Sequence, residues 1–433
     1  MYFAQQNIAA DLPATQIGAR VCLVGRVIAI RRMKRTAFFD LRDRSGTAQC
    51  SLSTPTFDTL SVSIGDIIRI EGSRGDSKTG ASILEVDELA ILSRTADPGA
   101  LSDDIRAGRF HRTRRSVRND RAREILVDDN LRGRLYLRSK ILYLLRERLA
   151  FHGFDEFDIP VIVPSAFVGT ARLFELKSQD IDGRLYLRGS LESHLKQLMV
   201  AGFESAYCIG PSFRNESAEL HEFLMVEGVS AQLSQLKMIN TLEDIIRYVA
   251  NGVSGLDQAA TTRVEELSRP WDKSSFSQIF QGDTSDAHEV KRAFIRLRDD
   301  LSDSFETPLF INDFPAIISP LAAASESDPA LACRGYMFYR GFRICEIVQE
   351  QTSADQQLSV FESQHRALCE SAHTEGGRSQ WSYDAELIEA LRLGCPPLAG
   401  FGLHVNRLVA AISETDHVSD VVPFPLASGR IAR

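Results

Sequence analysis

A chain of 433 residues is long for one hydrophobic core, so two domains are expected. With 44% hydrophobic and 25% charged residues the composition is that of a soluble globular protein and excludes a disordered one, and a net charge of −8 argues against bulk coating of nucleic acid while leaving room for a local basic patch. The start of the chain carries no leader-like pattern, no apolar run approaches membrane-spanning length, and seven scattered cysteines show no C-x-x-C spacing, so the expectation is a cytoplasmic protein with reduced core cysteines and no membrane partner.

From Arg20 to Leu92 the pattern is all strand: ARVCLVGRVIAI, TAFFDLRD, TAQCSLS, GDIIRIEGS and ASILEVDELAIL, joined by short turns. Five such strands suit an OB-fold barrel, whose open face commonly takes single-stranded nucleic acid by stacking bases on aromatic rings. Phe38, beside Arg31, Arg32, Lys34 and Arg35, is the candidate platform; it reads equally as a core ring flanked by solvated charges. The stretch ADPGALSDD reads as a linker. IRAGRFHRTRRSVRNDRAREI follows, densely basic, suited either to a phosphate backbone or to a solvated helix in which Asp120 and Glu124 pair neighbouring arginines.

Leu131 to His152 has helical spacing and ends at Gly153, and FDEFDIPVIVPSAF reads as a strand stopped by proline. GRLYLRGSLESHLKQLMVAGF is a strand followed by a helix, with Ser190 as N-cap and Glu192 in the first turn, where a carboxylate also suits the helix dipole. Next, the apolar runs Ala206–Ile209 and Phe223–Val226 predict a hairpin around IGPSFRNESAELHEFLMVEG. Arg214 can grip a carboxylate or phosphate in bidentate fashion, and Phe223 can lie flat against a base; read blandly, the same hairpin holds only solvated ion pairs. Leu233–Val253 is helical, and Val264–Asp303 suggests no chemistry. PLFINDFPAIISPLA gives two strand-like pieces, and RGYMFYRGFRICEIVQEQ a hairpin with Gly341 in its turn and Glu346 and Glu350 beyond it. After a helix at Asp384–Leu393, the glycine-rich LGCPPLAGFGLHV leads into NRLVAAIS, which puts Arg407 near a helix N-terminus, a placement that suits a polyphosphate.

These segments, in this order, resemble the class II aminoacyl-tRNA synthetases. LRSKILYLLRERLAFHGFDEFDIPVI looks like motif 1, the dimer-forming helix and strand; RLYLRGSLESHLKQL, GFESAYCIGPSFRNE and HEFLMVEG, with GCPPLAGFGLHVNRLVAAI and DVVPFP, resemble motifs 2 and 3. The preceding OB-fold is similar to the lysyl, aspartyl and asparaginyl subgroup, and FINDFPAIISPLA and YDAELIEALRLGCPP look most like lysyl-tRNA synthetase. The resemblance implies an α+β fold: an OB-fold over 1–95, a basic linker over 96–130, and a catalytic domain over 131–433 built on an antiparallel sheet of six or seven strands flanked by helices. It implies a homodimer that takes an amino acid and ATP. Arg214 would hold the substrate carboxylate and α-phosphate, Glu216 and Phe223 the adenine, His221 and Arg407 the terminal phosphates, and Glu192 the α-amino group. Glu227 and Glu350 would receive an ε-ammonium, and with Glu346 they form an acidic set suited to a cationic side chain. Phe38 and Gln49 match anticodon-contact positions.

Several positions depart from the family. The motif 2 loop is short, and Tyr336 and Arg343 stand where two acidic residues bind magnesium on ATP, so Arg343 would bring the positive charge itself. Phe167 and Val168 replace a glycine pair, Cys345 and Glu346 a glycine and an asparagine, Val229 a pocket tyrosine, and Ala81 a glutamate of the barrel. The expectation is a divergent paralogue that adenylates an amino acid and passes it to a small amine or a protein rather than to ordinary tRNA. The alternatives are a genuine lysine–tRNA ligase and a non-catalytic binding or regulatory protein.

Overall fold

The computed structural model describes residues 7–77, 79–108, 121–165, 172–215, 220–255, 258–280, 287–297, 307–375 and 383–426, which fall into two compact units, 1–129 and 130–433. In the first, β1 (Arg20–Arg32), β2 (Thr36–Arg42), β3 (Thr47–Ser53), β4 (Ile67–Asp76) and β5 (Ser82–Ser93) close into a barrel in the order β1-β2-β3-β5-β4, with α1 (Thr54–Leu60) between β3 and β4. Strict alternation explains the closure. Ala37, Phe39 and Leu41 of β2 point into the core while Thr36, Phe38 and Asp40 face outward. Phe38 is therefore not the core ring; Phe39 is, at 1% exposure.

Within the ADPGALSDD stretch the chain enters α2 (Pro98–Ala107). The Asp97 side chain accepts from the backbone N–H of Ala100, and Pro98 takes the first turn, where its missing N–H costs nothing. In α3 (Arg121–Val127), Glu124 pairs with Arg121 at 2.8 Å. The basic run over 109–120, Asp120 included, and Phe167 and Val168 lie outside the described residues.

The second unit opens with α4 (Asp129–Phe151), β6 (Asp155–Glu156) and β7 (Ile162–Val163). The continuous strand expected over FDEFDIPVIVPSAF is thus two short pieces: Pro160 has no N–H to donate to a ladder, and β7 leaves for a separate small sheet with β8 (Glu175–Leu176) and β9 (Leu185–Leu187). Then come α5 (Glu192–Val200), β10 (Ser205–Phe213), β11 (Glu222–Ser230), α6 (Gln235–Val253) and α7 (Gln258–Leu267). Beyond them lie β12 (Asp272–Ser275), α8 (Phe276–Ile279), α9 (Ala287–Arg296), β13 (Leu309–Asn312), β14 (Phe314–Pro315) and β15 (Leu331–Ala332). The chain finishes with β16 (Arg334–Tyr339), β17 (Phe342–Gln349), α10 (Ala354–Glu375), α11 (Ala385–Arg392), β18 (Ala399–His404) and α12 (Val405–Ile412).

Eight strands, rather than six or seven, form the main sheet, in the order β12-β13-β16-β17-β18-β11-β10-β6. Its edge pairs β12–β13 and β10–β6 are parallel and the remaining pairs antiparallel. The β16–β17 hairpin turns at Arg340 and Gly341, both with positive φ (51° and 77°), the conformation that matches the twist of a two-residue hairpin loop. Apolar stripes of α4, α6 and α12, among them Ile141, Leu144, Ile246, Val249 and Leu408, bury one sheet face against Val226, Ile347 and Leu403. The opposite face carries the site, and α5 covers one end of it through Leu195 and Met199 packed on Ala206, Cys208 and Val229.

Candidate active site

Register builds the site. Glu227 on β11 lies opposite Gly402 on β18, Gly402 opposite Glu346 on β17, and Glu346 opposite Tyr336 on β16, so these four share one row and one face. The next row holds Val229, Gly400 and Val348. Glycine at both central positions makes the row floor a shallow trough, filled over Gly400 by the carboxylate of Glu350, with which a methyl group there would collide.

At the acidic end the carboxylates carry their own counter-ions. Lys196 of α5 is 0% exposed, and its Nζ lies 2.7 Å from Glu350 and 3.1 Å from Glu192. Burial alone would lower its pKa, but Glu350 and Glu192 together hold it above the ordinary lysine range. Glu346 is paired by Arg334 at 2.6 Å, and the same guanidinium donates to the carbonyl of Ile318. Among the described residues Glu227 makes no ion pair within 4 Å and is held by hydrogen bonds: the Ser190 hydroxyl and the Leu191 N–H each donate to it at 2.9 Å. Burial, with the negative charge of Glu192, pushes its pKa up to about 7. Ser190 is thus not the N-cap of α5, a position held by Leu191; its hydroxyl accepts from the N–H of Glu192 while donating to Glu227. Lys196 and Arg334 were not singled out from sequence. The one local signal was the spacing of four between Glu192 and Lys196, which puts both on one helix face.

The cationic end lies along the β10–β11 hairpin. Arg188, 3% exposed, anchors it by donating to the carbonyls of Pro211, Ile159 and Pro160. Just past β10, Arg214 places its guanidinium 5.4 Å from the centre of the Phe223 ring. The ring of His221 faces the carbonyl of Arg214 at 3.0 Å, and the Arg214 N–H donates to the His221 carbonyl at 2.9 Å, so His221 fixes the backbone that carries Arg214. Glu216 lies outside the described residues. Arg407, in the first turn of α12, donates to the carbonyl of Arg343 at 3.4 Å. Arg343 reaches this face through a β-bulge: Met337 pairs with Cys345 but Phe338 with Arg343, so Ile344 is an extra residue and Arg343 lands on the side of Tyr336, 4.8 Å from its ring.

Tyr336 is 2% exposed within an aromatic cluster of Phe276, Phe314 and Phe338, and burial pushes its pKa up to about 12, so it is a neutral phenol. Among the described residues no group of three or more His, Cys, Asp or Glu side chains is placed to hold a metal ion, and the Arg343 guanidinium beside Tyr336 offers no lone pair and repels a divalent cation, so this pair does not fit one. On the barrel, Phe38 lies opposite Arg31 and Ser51, and the neighbouring row sets Asp40 opposite Gln49, so both barrel candidates share the outer face. No helix among the described residues is long and apolar enough to cross a membrane.

The architecture is that of an adenylate-forming ligase with an appended nucleic-acid-binding barrel. The fold is shared with asparaginyl-tRNA synthetase from Pyrococcus horikoshii, solved in complex with asparaginyl-adenylate, at a TM-score of 0.81 and 20% identity over 100% of both chains. The chain belongs to the class II tRNA synthetases (D, K and N), a family that matches residues 115–428, and residues 21–92 match the OB-fold nucleic acid binding domain. It is 28% identical to a lysine–tRNA ligase of Moorella thermoacetica over 94% of this chain and 88% of that one, and 27% identical to one of Coxiella burnetii over 98% and 92%. Class II synthetases are ligases that form an adenylate from an amino acid and ATP, use magnesium, bind tRNA and are typically dimeric.

Proposed function

We propose that this chain activates an amino acid with a cationic side chain, using ATP, over the trough between the acidic and cationic ends. The observation that carries the reading is that one sheet face joins the carboxylates Glu192, Glu227, Glu346 and Glu350 to the arginines 214, 343 and 407 across a glycine floor. Four carboxylates against Lys196 and Arg334 leave an excess of negative charge that supports a cationic ligand. Glu192 takes the α-ammonium, and Glu227 with Glu350 the side-chain end. Arg214 holds the carboxylate and the α-phosphate; Phe223 and Glu216 hold adenine; His221 and Arg407 hold the terminal phosphates. The substrate carboxylate oxygen attacks the α-phosphorus and pyrophosphate leaves. This reaction between two anions needs cationic clamps and alignment rather than a general base. Arg343 supplies positive charge where the family has carboxylates that bind magnesium.

The acceptor we propose is a small amine or a protein rather than ordinary tRNA. The connection between β10 and β11, residues 214–221, supports this reading, because so short a loop offers little surface to an acceptor stem. Lysine–tRNA ligation is the second reading, supported by the outward Phe38 and Gln49 on the barrel. Exposed Tyr136 and Tyr143 on α4 support the homodimer that the motif 1 resemblance implies. The test is amino-acid-dependent ATP–pyrophosphate exchange over a panel of amino acids, with and without magnesium. Exchange that requires a cationic amino acid and is lost in Arg214→Ala is expected. No exchange in folded protein would shift the reading to a binding or regulatory protein.

A further inference from the structure

His404 closes β18 and immediately precedes α12. Along β18 the residues that face the trough are Gly400, Gly402 and His404, so the glycine row ends at this imidazole. Its ring lies 5.1 Å from that of Phe223 with 12° between the planes, a parallel stack within the range of favourable aromatic pairs. The imidazole therefore covers a face of Phe223 with a flat ring, the arrangement a purine would make there. Among the described residues its Nδ1 is buried and makes no hydrogen bond. Burial, then the positive charges of Arg407, Arg343, Arg214 and Arg138, hold its pKa well below the ordinary histidine range, so the ring is neutral and contributes no charge to an anion site.

We propose that His404 is the specificity-determining residue of the nucleotide end: its ring fills the stacking position on Phe223, so the arginines hold a polyphosphate directly, whereas a purine stacks on that face only after the imidazole has turned away. The inference rests on the reading of this face as an ATP site. It separates two parts of one ligand. The phosphate chain meets Arg214, Arg343 and Arg407, while the base competes with the imidazole.

The test compares equilibrium binding of ATP and of inorganic tripolyphosphate to the full chain and to His404→Ala, with His404→Asn as a second variant lacking an aromatic ring. Removing the imidazole is expected to tighten ATP by about tenfold, the scale of one ring stack, and to leave tripolyphosphate unchanged. A purely structural role would move both ligands together. Equal or weaker ATP binding in variants that keep tripolyphosphate affinity would overturn the proposal, as would parallel weakening of both ligands. If neither ligand bound the wild-type chain or the variants, the ATP reading itself would fall, an outcome distinguishable from the others.

Discussion

The ammonium of Lys196 sits 2.7 Å from the carboxylate of Glu350, joining α5 to the residue that follows β17 in a part of the protein where both side chains are almost wholly buried. A buried ion pair stands on mutual compensation, so removing one partner costs far more than the pair contributes. Lys196→Met is expected to lower stability by about 3–5 kcal/mol in chemical denaturation, and a second change, Glu350→Leu, to recover part of the loss. Equal stability of the single variant and the wild type would show that the carboxylate is neutral or hydrated without the lysine.

Glu227 gives the site a pH dependence with a definite sign. Its folded pKa of about 7 lies above the ordinary glutamate value, so between these two values the folded chain holds a proton that the unfolded chain has released. Stability from this group is therefore present at low pH, falls as pH rises toward 7 and levels off above it. Glu227→Gln should remove that slope and be more stable than the wild type at pH 8 by on the order of 1–3 kcal/mol. Ligand binding runs the other way: a cationic amino acid needs the ionised carboxylate, so its affinity should rise as pH passes through about 7 in the wild type and stay flat in the variant. Paired urea melts and calorimetric titrations between pH 5 and 9 would check both slopes.

Arg343 owes its position to the bulge at Ile344 and lies 4.8 Å from the Tyr336 ring. If it carries charge for the phosphates, Arg343→Ala should lower pyrophosphate exchange by about 10²–10³-fold, the scale of losing one preorganised charge-stabilising group. The Arg343→Lys variant should recover part of the rate, since it restores charge without the planar fork. Unchanged exchange in Arg343→Ala would place the phosphates elsewhere on the face.

Gly400→Ala tests the floor. The new methyl group meets the Glu350 carboxylate and must push it, at a cost of about 1–3 kcal/mol in stability. The KM for the amino acid should rise while that for ATP stays near the wild-type value, because Phe223 and Arg214 lie at the far end of the trough. Equal effects on both substrates would argue that the two ends are not separate subsites.

Much of this molecule was legible in its residues. Period-two alternation in TAFFDLR marked a strand while leaving open whether Phe38 faced the core, and the helical spacing from Leu131 onward, with Gly153 beyond, announced α4. Gly341 marked the turn of a hairpin. Each of these signals arises between residues a few positions apart, where backbone geometry fixes which side chains meet. Tertiary structure alone decided the rest. Lys196 meets Glu350 across more than 150 positions of chain, Arg334 neutralises Glu346 from the neighbouring strand, and a single extra residue in β17 turns Arg343 onto the site face. The stack of His404 on Phe223 likewise depends on β18 lying beside β11 in one register. Strand register and long-range charge pairing are settled by packing of the whole sheet, and no local pattern of residue types encodes them.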